Sequence, residues 1–126
     1  MSVQQILFFN LSCVNRHNPP IPSRLDYMDR LGMLALDENR DFGSVGDNDG
    51  EQLPAQLTDM RDLIKRDRSH ASVMAWSFCN EGECAKPGAN AFRQTSYEYD
   101  STRKVTQNDN YVSRMSDFLC TYGCEY

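Results

Sequence analysis

A chain of 126 residues with net charge −5 is long enough for one ordinary domain, and its makeup, 40% hydrophobic and 25% charged, is that of a globular protein. The longest apolar stretches, residues 6–10 and 33–36, fall far short of the roughly 18 that a membrane helix needs, so no membrane span is expected. The N-terminus has neither the basic start nor the cleavage site of a signal peptide. The basic cluster from Arg61 to Arg68 is interleaved with Asp62 and Asp67, which argues against a nucleic-acid groove, since that needs an uncompensated basic face.

In chain order, residues 6–15 carry Leu7, Phe8, Phe9, Leu11 and Val14. They read as a buried strand stopped by the proline-rich turn Arg16-His17-Asn18-Pro19-Pro20. Within residues 23–31, Leu25, Met28 and Leu31 recur at steps of three, predicting a short amphipathic helix closed by Gly32. Residues 33–36 are continuously apolar, as in a strand covered on both faces, and run into Asp37-Glu38-Asn39-Arg40. A Gly- and Asp-rich loop over residues 43–51 follows, with Pro54 placed for the first turn of a helix. Leu57, Met60, Leu63 and Ile64 fall on one face of that helix, which ends between Arg66 and His70.

Residues 72–78 form a second apolar strand leading into Cys79-Asn80-Glu81-Gly82-Glu83. A helix is expected over residues 89–99, a short strand over 104–106, and a last strand near 117–120. Alternating helices and strands imply parallel strands joined by right-handed crossovers, hence an α/β sheet or part of a barrel. In both, function sits at the carboxyl ends of the strands, where His17, Asp37, Glu38, Asn80 and Glu81 fall.

Five cysteines, Cys13, Cys79, Cys84, Cys120 and Cys124, make an odd count without a C-x-x-C pair. They are read as small buried residues or free thiols, not as a zinc site completed by His17 or His70.

Glu81 is the best single candidate for chemistry. A carboxyl projecting from a strand end into a cleft loses solvation, and its pKa rises as a general acid requires. The plain alternative is a solvated first residue of a loop. His17 sits in a rigid turn suited to holding an imidazole against a ligand, or simply caps that turn. Asp37 and Glu38 could be a metal site, a paired acid and base, or structural partners of arginines, with an ion-pair role favoured for at least one. Trp76, on the strand before the site, is a core residue or an aromatic sugar platform, and His70 is read as structural.

The order Arg16-His17-Asn18-Pro19-Pro20, Leu25-Asp26, Asp29-Arg30-Leu31-Gly32-Met33-Leu34 and Leu36-Asp37-Glu38-Asn39 resembles the S-H-N-P-P, L-D-x-x-D-R-L-G-M-L and M-D-E-N succession of glycoside hydrolase family 2, the β-galactosidase and β-glucuronidase group. The likeness continues in Arg66-Asp67-Arg68-Ser69-His70-Ala71-Ser72-Val73, in Trp76-Ser77-Phe78-Cys79-Asn80-Glu81-Gly82-Glu83, and in Asp100, Thr102-Arg103 and Val105-Thr106. It is weaker in the first dozen residues and after Thr106. Arg16, Ala71 and Cys79 stand where the family usually has Ser, Pro and Gly, and none of these departures removes a catalytic group.

The resemblance implies a (β/α)8 TIM barrel of which residues 1–126 are a partial catalytic domain, approximately strands 2 to 6. It implies that Glu81 is the acid/base of a retaining glycosidase acting on β-linked sugars, galactosides first, with the nucleophile missing from this chain. Asn80 would hydrogen-bond the sugar 2-hydroxyl, His17 would contact the sugar near the reacting ring, and Asp37, Glu38 and Trp76 would support the site. Some members bind magnesium near the acid/base. Asp37-Glu38-Asn39-Arg40-Asp41-Phe42-Gly43 lacks the ligands expected there, so neither metal nor cofactor is expected. The partners implied are a carbohydrate and, for the chain itself, the missing barrel half or further copies. A truncated product without catalysis and a weak carbohydrate-binding remnant are the alternatives.

Overall fold

The computed structural model describes residues 12–15, 18–40, 52–80 and 89–108. Its elements in chain order are β1 (Ser12–Asn15), α1 (Pro22–Leu31), β2 (Leu34–Glu38), α2 (Leu53–Asp67), β3 (Val73–Asn80), α3 (Ala89–Tyr99) and β4 (Lys104–Asn108). The expected loop over 43–51 and last strand near 117–120 lie outside the described residues. Of the expected first strand, the described part is Ser12–Asn15.

Local chemistry sets the helix limits. Pro22 opens α1, one residue before the start expected from the apolar spacing. Proline is favoured at that first position because the N–H it lacks would have no helical partner and its fixed φ already suits the helix. Gly32 closes α1 at φ 67°, a left-handed conformation, while its N–H reaches the Asp29 carbonyl and Met33 N–H reaches the Met28 carbonyl at 3.0 Å. These two bonds satisfy carbonyls that the last turn would leave bare. Pro54 falls in the first turn of α2, as its place in the sequence predicts.

All four strands are parallel, in the order β1-β2-β3-β4. Leu25 and Met28 of α1, Met60, Leu63 and Ile64 of α2, and Phe92 of α3 bury together against Ala35, Val73, Trp76, Phe78 and Val105 of the strands. The three helices therefore share one face of the sheet. A doubly wound sheet reverses its strand order and puts helices on both faces, whereas sequential order with helices on one side is an arc of a (β/α)8 barrel.

β2 runs through Asp37 and Glu38, two residues beyond the apolar stretch. The ladder to β3 continues through Asp37↔Trp76 and Glu38↔Ser77, and Asn39 N–H donates to the Ser77 carbonyl at 2.8 Å. Backbone pairing carries the strand where the apolar pattern stops. The register between β2 and β3 slips once, with Ala35 opposite Val73 and Leu36 opposite Ala75, so Met74 is an extra residue on β3. That bulge lets Val73 and Trp76 both face the helices, although their spacing would put them on opposite faces of a regular strand.

Candidate active site

The strand ends define the site. β1 closes at Asn15, β2 at Glu38, β3 at Asn80 and β4 at Asn108, and the pairs Asn15↔Asp37, Glu38↔Ser77 and Asn80↔Asn108 bring these ends to one edge of the sheet. Asn80 is thus the last residue of β3. Glu81, the next residue, and His17, which precedes Asn18, lie outside the described residues.

Asp37 and Glu38 are both buried, at 0% and 1% exposure, but they do not act as a pair. Side chains alternate across a strand, and the two leave opposite faces of the sheet. Glu38 accepts the Ser77 hydroxyl at 2.9 Å on the face away from the helices, which is the interior of a barrel. Asp37 points to the helices and meets Asp67 at the end of α2. Both oxygens of Asp37 lack a donor. Burial first, then the hydrogen bond and charge of Asp67, push Asp37 up to about 8, and the Arg66 charge only partly offsets this.

Arg66 lies near enough for its charge to act on Asp37, but its hydrogen bonds go elsewhere. Arg66 holds Asp67 through Nε at 2.7 Å and Nη2 at 2.6 Å. Burial beside Asp67 thus favours the protonated form of Asp37. Beside it, Asn39 donates Nδ2 to the Gln56 carbonyl at 3.2 Å, while its buried Oδ1 has no partner.

Trp76 is fully buried, donates its indole N–H to Asp100 at 3.1 Å and lies 5.7 Å beneath the Arg103 guanidinium. It is a core residue, not an open sugar platform. Burial raises Asp100, but the Thr102 hydroxyl, Arg103, the Thr102 N–H and Trp76 outweigh it and bring the carboxyl down to about 2. Arg103 also reaches the carbonyls of Val73 and His70 at 2.6 and 2.9 Å. Asp29 of α1 accepts His70 Nδ1 and Ser72 N–H, both at 2.7 Å. Its carboxyl is raised by burial and lowered more by these bonds. His70 is thus structural, and this second network locks the amino end of β3, opposite the site. Among the described residues no three His, Cys, Asp or Glu side chains converge as a metal site would require.

Asp67 carries none of the motifs that single out the other candidates, yet its signal is present in the sequence. Position 67 follows Met60, Leu63 and Ile64 at helical spacing, on the apolar face of α2. A charged residue there must have a buried partner.

The chain matches the family model "Glycosyl hydrolases family 2, TIM barrel domain" over residues 5–125. It is 39% identical over 69 residues to β-galactosidase BoGH2A of Bacteroides ovatus, a stretch covering 52% of this chain and 8% of that protein. It is 34% identical over 96 residues to β-glucuronidase of Mus musculus, covering 71% of this chain and 15% of that one. Its fold matches the β-D-glucuronidase structure from Dictyoglomus thermophilum with a TM-score of 0.75 and 27% identity, over 94% of this chain and 25% of the other. The chain therefore spans a small part of the relatives it matches. Its sequential parallel strands, buried helix face and family match agree: the chain belongs to glycosyl hydrolase family 2, in the TIM barrel domain.

Proposed function

We propose that this chain carries the acid/base side of a retaining β-glycosidase site, with Glu81 as the proton donor. The observation that carries the reading is the position of Asn80, the last residue of an apolar parallel strand at the carboxyl edge of the sheet, immediately before Glu81. On this reading β1 to β4 stand as the second to fifth of eight barrel strands, with the acid/base after the fourth. Glu81 protonates the leaving oxygen as the glycosidic bond breaks, then takes a proton from the water that releases the sugar. Asn80 holds the sugar 2-hydroxyl and His17 lies against the reacting ring. Glu38, held by the Ser77 hydroxyl on the interior face, is fixed in place beneath the site. The nucleophilic carboxylate is proposed to come from a strand outside this chain, about 5 to 5.5 Å from Glu81.

The substrate class proposed is a terminal β-galactoside or β-glucuronide, the sugars in the names of the relatives. In a complete barrel that contains this segment, Glu81→Gln should lower turnover by about 10²- to 10⁴-fold on a natural disaccharide, which needs protonation of its leaving group. It should cost far less on a nitrophenyl glycoside, which leaves unaided. Equal turnover of the disaccharide by both proteins would remove Glu81 from the role.

A further inference from the structure

Pro19 and Pro20 lie in the turn that leads from the carboxyl end of β1 to α1. Having no N–H groups, they cannot fasten that turn by their own donors. The missing donor comes from 46 residues away: Arg66 Nη2 donates to the Pro20 carbonyl at 2.7 Å while the same guanidinium grips Asp67. Asp67 is completely buried and Arg66 is 40% exposed. The carboxylate is therefore the anchor and the arginine the arm.

Asp37 backs this anchor from the sheet. With its proton it can donate to Asp67, and the three groups sum to zero charge. Without it, two buried carboxylates share one cation, and neither oxygen of Asp37 has a donor. The neighbouring charges are engaged elsewhere: Glu38 with Ser77 on the other face, Arg40 with Asp59, Arg61 with Asp62, and Asp29 with His70 and Ser72.

We propose that Arg66 is a positioning residue which, aimed by the Asp37 and Asp67 carboxyl pair, clamps the Asn18-Pro19-Pro20 turn in place at the site edge of the sheet. Its relevance to sugar binding rests on the function proposed above, but its test does not. Amide hydrogen exchange is measured in the 126-residue chain at Arg24, whose N–H bonds to the Ile21 carbonyl just after the turn, with Phe78 and Val105 as core controls. Arg66→Lys keeps the charge but loses the two-pronged grip. It should lower protection at Arg24 about tenfold relative to the two core amides. In the wild-type chain, protection at Arg24 relative to the core should also fall as the pH rises from 6 to about 9, and Asp37→Asn, a neutral donor of the same shape, should abolish that fall.

Unchanged relative protection in Arg66→Lys, or the same pH profile in Asp37→Asn and wild type, overturns the proposal. If Arg66→Lys does not fold, the pH comparison decides alone. Should the exchange results hold while Glu81→Gln leaves disaccharide turnover intact, the clamp stands and the glycosidase reading falls.

Discussion

Two aspartates give this fold opposite responses to pH. Asp37 is buried against Asp67 and titrates near 8, so from about pH 4 upward the folded chain holds a proton that the unfolded chain has released. Its contribution to stability is greatest in acid and is lost as the pH rises to about 8. Asp100 is lowered to about 2 by hydrogen bonds that outweigh its burial. Its contribution, on the order of 2 kcal/mol, is present above its ordinary value and is lost as the pH falls through about 2. Urea unfolding of the chain from pH 3 to 9 should therefore show greatest stability in mild acid. Asp37→Asn should flatten the alkaline limb and make the protein more stable than wild type at pH 9. Equal stability of the wild-type chain at pH 5 and pH 9 would show that Asp37 does not keep its proton in the fold.

At the scale of elements, an aromatic stack fastens α3 to β3. Phe92 stacks on Phe78 with centroids 5.1 Å apart and planes 7° apart, and Ser96, one turn on, returns its hydroxyl to the Phe92 carbonyl at 2.8 Å. Phe92→Ala should cost about 3 to 5 kcal/mol in urea unfolding, because it leaves a cavity between α3 and β3. Phe92→Leu should cost under about 2 kcal/mol, since Leu refills most of that volume. A loss below about 1 kcal/mol for Phe92→Ala would mean that α3 does not pack on β3 through this ring.

The same elements show what the sequence makes legible. The limits of α3 agree with expectation at both ends, and Gly32 closes α1 as its position predicts, because periodicity and capping are local signals. β2 reads two residues short, since a buried charged residue looks like a loop until its ladder partner is known. Which carboxyl meets Asp37 is not legible at all. Asp67 lies 30 residues away in sequence, and only the packing of α2 on the sheet brings the two together. Trp76 stays open between core and platform until Asp100 and Arg103 close over it.

For the whole molecule, the decisive quantity is the part of the barrel present. Among the described residues the sheet has four parallel strands with β1 and β4 outermost, and Ile21, which precedes α1, with Tyr27 and Leu31 on that helix, are exposed at 67%, 64% and 66% beside Met28 and Met33. Both features suit a (β/α)8 barrel, in which neighbouring strands would pair with the outer strands and neighbouring helices would cover that apolar face. A complete barrel takes about 250 residues, and retaining hydrolysis needs two carboxylates. If this chain supplies only Glu81, then alone it should not hydrolyse aryl β-galactosides or β-glucuronides. Mixed with a family 2 barrel half that brings the nucleophile strand, it should gain an activity that Glu81→Gln removes for poor leaving groups. Turnover by the chain alone would place a second carboxylate within it. A stable complex of the two halves without turnover would deny that the edge closed by Asn80 forms a sugar site.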